Sequence, residues 1–150
     1  YGPGQNLNKL QGEISRLALA AITRQPITMF VPLDTLRDYI FTDDAADRAL
    51  HWVSVSLGSQ HSATRIVASG QAATLGHVIA VMNDITRVRV PIAVGIHESA
   101  QAQARDLRLI PDTDPIIETL PMTSLPAGMK HVFLDISERH ARAQLGAASS

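Results

Sequence analysis

The chain has 150 residues, a net charge of −1 and no cysteine, and 45% of its residues are hydrophobic against 18% that are charged. This balance is typical of a globular chain with one core, and it excludes a disulfide framework, thiolate catalysis and a zinc site built on sulfur. The near-neutral charge provides no footprint for nucleic acid, so no nucleic-acid partner is expected.

Membrane contact is expected only through an anchor that lies outside this sequence. No apolar run reaches the roughly 20 residues that span a bilayer. The start, Tyr1 to Gly4, shows neither an initiator methionine nor a signal-peptide pattern. We therefore expect a single domain over residues 1–150, excised from a longer chain. The absence of cysteine is compatible with either a periplasmic or a cytoplasmic location.

The first third of the chain predicts helices around a strand. Helical spacing of apolar residues predicts a helix over 9–23, with Asn8 and Gln11 as a capping box. Ile27 to Val31 is apolar and partly β-branched, which predicts a strand. Residues 33–41 again show helical spacing, and a second short helical stretch is expected over 43–50.

The middle of the chain predicts a β-α-β unit over residues 65–96. Alternating apolar residues over 53–57 predict a strand before it, and Arg65 to Ser69 predicts the first strand of the unit. A clean apolar stripe predicts a helix ending near Val88, and Val90 to Ile96 predicts the second strand. Two such strands can lie parallel with a right-handed crossover.

The last third is less regular. We expect a helix over 99–106, an irregular proline-rich excursion over 111–128, a strand over 131–136, a short helix from Ser137 and a frayed tail over 146–150. The whole pattern predicts an α/β domain, with α+β as the alternative, built on a mixed sheet of about five strands.

The six histidines do not show the spacing of a metal site. No pair is separated by three residues on one helix face, and there is no cysteine to complete a set, although distant histidines could still meet in space. We therefore predict no metal site and no cofactor.

One turn is a candidate binding site. Ser69 and Gly70 leave a predicted strand, and Thr74 and Gly76 enter a predicted helix whose first amides could hold an anion. The turn lacks both the G-x-G-x-x-G pattern and a terminal Gly-Lys pair, which favours a structural role: Gly70 serves the turn, and Gly76 allows close packing against the start of the helix. Nucleotide binding stays an alternative.

Catalysis has no local signature in this sequence. No G-x-S-x-G elbow occurs, and the carboxylates Asp34, Asp43, Asp44 and Asp47 fit helix starts better than an acid–base pair. We therefore expect a binding or assembly role rather than an enzyme.

The segment from Arg65 to Glu98 resembles the periplasmic domain of the ExbD/TolR biopolymer-transport family. The matching positions are Ala68-Ser69, Gly76, Val81-Met82-Asn83 and Ile92 to Ile96, and Pro32 to Arg37 is similar to the family's helix upstream. The chain departs from the family at Gly70, Asn83 and Arg89, where the family has an acidic residue, Asp and Gly.

This resemblance implies a dimeric, periplasmic, force-transducing accessory of a proton-driven transport motor, with no catalytic residue. The implied contact surface is the sheet edge at Val90, Ile92 and Val94, which could pair with a protein partner or a second copy by strand addition. Two alternatives stay open: a domain that senses a small ligand or nucleotide, and a non-catalytic domain of a larger enzyme.

Overall fold

The computed structural model describes residues 1–7, 12–58, 61–96 and 104–148. The helices are α1 (Glu13–Thr23), α2 (Thr42–Ser56), α3 (Leu75–Thr86), α4 (Pro115–Thr119) and α5 (Leu125–Ala148), and the strands are β1 (Ile27–Met29), β2 (Leu36–Asp38), β3 (Ala72–Thr74) and β4 (Ile92–Val94). The predicted α/β class is confirmed. None of the described helices is long and apolar enough to cross a membrane.

The hydrophobic core lies where α1, α3 and α5 pack on β1 and β4. The buried residues of α3 repeat at helical spacing, as the sequence predicted, and α1 and α5 place matching stripes against them. The side chains that are almost completely enclosed are Ile14, Leu17, Leu75, Val78, Met82, Met129, Val132 and Ile136. Burial of each such side chain contributes roughly 1.5–3 kcal/mol, so this cluster holds the fold together.

The strands form two separate pairs. β1 and β4 are parallel, with Ile27 opposite Ile92, whereas β2 and β3 are antiparallel, with Leu36 opposite Thr74. The predicted sheet of about five strands is therefore wrong, because the described residues contain four short strands in two pairs.

The predicted β-α-β unit over 65–96 is also corrected. The helix and the second strand are present, but Arg65 to Ser69 forms no strand in the described structure, and α3 follows β3, which pairs with β2. β4 instead takes β1 as its parallel neighbour. The crossover to β4 thus begins much earlier in the chain, at β1.

Three further element predictions are wrong. Residues 53–57 were predicted as a strand, but 53–56 form the end of α2 and Leu57 follows it; residues 131–136 lie inside α5, where Val132 and Ile136 share a buried face. The helix predicted over 33–41 is replaced by β2. The capping pair at residues 8 and 11, and residues 99–103 of the helix predicted over 99–106, lie outside the described residues.

α2 is fixed to the segment that precedes α5 by two buried charged residues. The Asp44 carboxylate accepts hydrogen bonds from the backbone N–H of Thr123 at 2.7 Å and from its hydroxyl at 2.9 Å. The Arg48 guanidinium donates to the carbonyls of Leu120 and Pro121. Both charges are therefore compensated, as burial of a charge requires.

Candidate functional site

The most informative surface lies at the carboxyl ends of the parallel strands β1 and β4. We call it the β1/β4 edge and define it by Phe30, Asp34, Arg37, Gly95 and Arg105. In α/β folds, ligands bind in the crevice outside the carboxyl ends of parallel strands. The loop after β1 carries Phe30 and Asp34, β2 carries Arg37, and Arg105 contacts both Asp34 and Arg37.

A glycine at the end of β4 makes room for the aromatic ring. The backbone N–H of Gly95 donates to the carbonyl of Met29 and extends the parallel pair by one bond. A Cβ atom at Gly95 would lie 2.6 Å from Cγ2 of Thr28 and 2.9 Å from Cε1 of Phe30. The Phe30 ring, which remains partly exposed, therefore sits over the end of β4 because residue 95 has no side chain.

The loop after β1 is fastened to the start of α3. The backbone N–H groups of Leu75 and Gly76 donate to the carbonyls of Thr35 and Leu33, at 3.0 and 2.7 Å. The N–H of His77 donates to the hydroxyl of Thr74, which caps the helix. Each of the first three amides of α3 thus has an acceptor within the chain, and the helix start is used to position the loop.

Arg37 is held by backbone carbonyls beside β2. Its Nη1 donates to the carbonyls of Leu36, Ala104 and Arg105, at 2.8, 2.9 and 3.3 Å. The segment that supplies these carbonyls runs along β2, because the N–H of Leu36 donates to the carbonyl of Arg105 and the N–H of Leu107 donates to the carbonyl of Leu36. These bonds fix the position of the Arg37 guanidinium at the edge.

Arg105 adds the second cation. Its side chain forms an ion pair with Asp34 in the loop after β1, and both side chains are more than half exposed. An exposed pair of this kind contributes about 0–1 kcal/mol, so an anionic ligand can compete with Asp34 for the guanidinium. Guanidinium groups match phosphate oxygens in geometry, and an exposed aromatic ring can stack on a planar base.

Two of the three residues predicted as a sheet-edge contact lie along a neighbouring cleft. Val90 and Ile92 line it together with Gly76, one of the residues of the predicted binding turn, and its volume is about 430 Å³. Val90 is buried and its N–H donates to Oδ1 of Asn83 at 2.8 Å, whereas Val94 points to solvent. The binding of a protein partner or a second copy along this cleft stays a prediction.

The remaining residues of the predicted turn lie elsewhere. Ser69 lines a smaller, polar pocket of about 180 Å³ together with Tyr39 and Thr123, and its N–H donates to Oδ1 of Asp38. Gly70 has a φ of 72°, which a glycine adopts without strain, and Thr74 caps α3. Of the seven residues predicted as binding residues, Gly76, Val90 and Ile92 line the first cleft, Ser69 lines the second and Thr74 caps α3, whereas Gly70 and Val94 line neither cleft.

Tyr39 in the polar pocket is held as a neutral phenol. Its hydroxyl donates to the Glu13 carboxylate at 3.0 Å. Burial raises the pKa of Tyr39 well above its usual range, and the charge of Glu13 raises it further. This tyrosine is consequently a hydrogen-bond donor and not a base at neutral pH. No group of three or more metal-ligating side chains occurs within the described ranges.

Comparison with known proteins identifies the fold. No protein-family model matches the chain, and no curated protein sequence matches it. The solved structure of MoeE5 with UDP-glucuronic acid and NAD is 23% identical, with a TM-score of 0.72, over 93% of this chain and 44% of that chain. The chain shares the fold of these proteins.

Two further structures agree. The UDP-glucose 4-epimerase of Thermotoga maritima with UDP-glucose is 17% identical, with a TM-score of 0.74, over 93% of this chain and 44% of that chain. RMD from Pseudomonas aeruginosa with NADPH is 20% identical, with a TM-score of 0.69, over 92% and 46%. The chain therefore spans less than half the length of the structures that it matches.

These likenesses correct the functional expectations. The resemblance to the ExbD/TolR family is wrong, because the structural neighbours are nucleotide-sugar and nicotinamide-cofactor proteins and the β-α-β unit that carried the resemblance does not form. The role predicted from it, a periplasmic assembly domain of a transport motor, is overturned by the same finding.

Sequence reasoning missed Phe30, Arg37 and Arg105. Arg37 and Arg105 are 68 positions apart, and no spacing rule joins them, because their proximity depends on the segment that runs beside β2. One usable signal was present: Arg37 and Asp38 interrupt an otherwise apolar stretch from Leu36 to Phe41. That pattern suits a short strand with one polar edge as well as a helix.

Proposed function

We propose that this chain is the nucleotide-sugar-binding portion of an NAD(P)-dependent enzyme that acts on nucleotide sugars. The observation that carries the proposal is the shared fold: it covers more than nine-tenths of this chain and less than half of proteins solved with UDP-sugars, NAD or NADPH. The nucleotide sugar binds at the β1/β4 edge.

The residues of this chain do not fit the nicotinamide cofactor. Dinucleotides bind to a glycine-rich turn, G-x-G-x-x-G, that leads from a strand of a parallel sheet into a helix. The sequence does not contain that pattern, and the described parallel pair has only two strands. The first amides of α3, the one described helix that directly follows a strand, are already bonded within the chain. The cofactor therefore belongs to the portion beyond the match.

The side chains of the β1/β4 edge fit the nucleotide sugar. A nucleotide sugar presents a planar base, a pyrophosphate and a ring with several hydroxyl groups. The Phe30 ring is placed for the base, Arg37 and Arg105 for the pyrophosphate, and Asp34 for a hydroxyl once Arg105 has turned to the ligand.

Isothermal titration of UDP-glucose and UDP-glucuronic acid into the protein tests this proposal. Arg105→Ala removes a charge-assisted contact with phosphate and should weaken binding by roughly 10- to 100-fold. Asp34→Asn removes the charge that competes for Arg105 but keeps an oxygen that can accept from a hydroxyl, so it should tighten binding by about two- to fivefold, since an exposed ion pair contributes only about 0–1 kcal/mol.

Arg142→Ala is the matched control, because Arg142 also forms an exposed ion pair, with Glu138 on α5. It should leave binding unchanged. UDP, which keeps the pyrophosphate, should compete with UDP-glucose, whereas glucose alone should not. Binding of UDP-glucose that Arg105→Ala and Arg142→Ala reduce equally, or no binding at all, would contradict the proposal.

A further inference from the structure

A second apolar surface lies on the flank formed by α2 and the segment Ala63 to Val67. A groove of about 440 Å³ separates the two. Its α2 wall is formed by Ala49, Trp52, Val53, Ser56 and Leu57, and its other wall by Ala63, Arg65 and Val67. The first set repeats every three or four residues and the second every two, so one face of a helix lies against one face of an extended segment. We call this surface the α2 groove.

The α2 groove is open to solvent. Val53 is 59% exposed and Leu57 76% exposed, although both are large aliphatic residues on the groove side of the helix. The Arg65 guanidinium lies 4.6 Å from the centre of the Trp52 ring and forms the polar rim. A contiguous apolar stripe with a polar rim is the pattern of an interaction surface.

The extended segment also has an open backbone edge. At Ile66 the N–H donates to Oδ2 of Asp112 at 2.6 Å, and the carbonyl accepts from the N–H of Asp112 at 2.9 Å. Backbone groups of successive residues in an extended segment point to opposite sides, so those of Arg65 and Val67 point away from Asp112. Across the described ranges they have no hydrogen-bond partner. This edge can accept another strand.

We propose that the α2 groove docks the cofactor-binding portion of the enzyme, through a strand that pairs with Arg65 to Val67 and an apolar layer that covers Val53 and Leu57. The inference rests on the proposed function. The partner is an α/β unit with a parallel sheet, the architecture on which dinucleotides bind. It is carried on the same polypeptide or on a separate one.

Two observations favour this occupant. More than half of each matched structure lies beyond the part that this chain covers, and the neighbours were solved with NAD or NADPH. In addition, Arg65 to Ser69 has the β-branched, apolar sequence of a strand in a parallel sheet but finds no strand partner in the described parts of the chain. A sheet with helices on its faces supplies both the missing strand and the missing apolar layer.

Hydrogen exchange, read residue by residue, tests the proposal. The 150-residue chain is compared with the gene product at its natural length, or with its co-purified cofactor-binding subunit, in the presence of NAD. The amides of Arg65 and Val67 should exchange at least about 100-fold more slowly in the larger protein, because both enter a sheet. Equal rates in the two samples would overturn the proposal.

Two valines on α2 provide a matched pair of variants. Val53 lines the groove, whereas Val55 has a similar exposure, 53% against 59%, and lies on another face of the helix. Val53→Asp should abolish the protection at Arg65 and Val67, and Val55→Asp should retain it. Loss of protection in both variants would point to destabilised α2 and overturn the proposed contact.

A second copy of the chain is the competing occupant. Protection of Arg65 and Val67 that appears in the 150-residue chain alone and grows with its concentration would overturn the proposal in favour of self-association.

The hydrogen-exchange measurement at the α2 groove does not depend on binding of the sugar ligand. If Arg65 and Val67 are protected but UDP-glucose does not bind, the docking at the α2 groove is supported and the proposed function is contradicted. If UDP-glucose binds but these amides are not protected, only the docking at the α2 groove is contradicted.

Discussion

The two sides of this molecule differ in how completely they are buried. On one side, α1, α3 and α5 enclose side chains such as Leu17 and Met129 with no exposed surface. On the other side, α2 turns large aliphatic residues to solvent, among them Leu50 at 66% exposed. The first side therefore stabilises the fold, whereas the exposed side of α2 contributes less to stability and is the side on which we propose that a partner docks.

The sharpest test of this comparison exchanges a leucine on each side. Leu17→Ala leaves a cavity in the core and should lower the free energy of unfolding by about 3 kcal/mol. Leu50→Ala should change it by less than about 0.5 kcal/mol, because the side chain is already in water. Urea denaturation measures both. Similar losses in the two variants would show that the α2 side is buried in the isolated chain.

The next largest expected effect on stability comes from the hydrogen bonds between Asp44 on α2 and Thr123. Asp44→Ala leaves the N–H and hydroxyl of Thr123 without their acceptor and should cost about 2 kcal/mol. Asp43→Ala is the control, because Asp43 shares the first turn of α2 and is exposed. Equal effects in urea denaturation would mean that the helix dipole, and not the contact with Thr123, explains the role of Asp44.

Gly95 links the core to the proposed ligand site. Gly95→Ala forces Cβ against Thr28 and Phe30 and should lower stability by about 1–2 kcal/mol, because the end of β4 must shift. The same shift displaces the Phe30 ring and should weaken UDP-glucose binding. Gly146→Ala is the control, because nothing lies within 4 Å of a Cβ atom there. Unchanged stability and affinity in Gly95→Ala would contradict the packing of Phe30 on β4.

The smallest expected effect is a pH dependence at α4. The Asp114 carboxylate accepts from the N–H groups of Ile116 and Ile117 and hydrogen-bonds to Nε2 of His51. The Ile117 bond lowers the pKa of Asp114 most, and the contact with His51 lowers it further. A lowered pKa contributes stability above the unfolded pKa of about 3.9, and this stability is lost as pH falls through the folded pKa.

Asp114→Asn keeps an N-cap but cannot titrate. The difference in Tm between the wild type and this variant should therefore be constant near pH 7 and shrink below about pH 4. Thermal unfolding followed from pH 7 to pH 2.5 measures it. A difference that stays constant to the lowest pH would contradict the proposed titration of Asp114.

The sequence predicted the elements whose period is unambiguous. The apolar stripe of α3 and the strands β1 and β4 are confirmed because their packing partners lie within the chain. The end of α2 was predicted as a strand because Val53, Val55 and Leu57 alternate, yet the two valines lie on different faces of α2 and all three side chains are exposed. Arg65 to Ser69 has the sequence pattern of a strand, but these residues form no strand in the described part of the chain.

α5 was missed for a different reason. The prolines predicted an irregular segment over 111–128 without a long helix, but Pro126 lies in the first turn of α5, where a missing N–H costs nothing. The β-branched and aromatic residues of 131–136 then favoured a strand, although Met129, Val132 and Ile136 have helical spacing and face the core. The β1/β4 edge required the tertiary structure, because its two arginines meet only through the segment beside β2.

The proposed binding of a nucleotide sugar at the β1/β4 edge can be located residue by residue. Hydrogen exchange of the natural-length protein with and without saturating UDP-glucose tests it most directly, since it reports where the ligand binds. We expect slower exchange confined to residues 30–37 and 104–107 and to Gly95, and loss of this protection in Arg105→Ala. Protection at the α2 groove or the polar pocket instead, or no change anywhere, would contradict it.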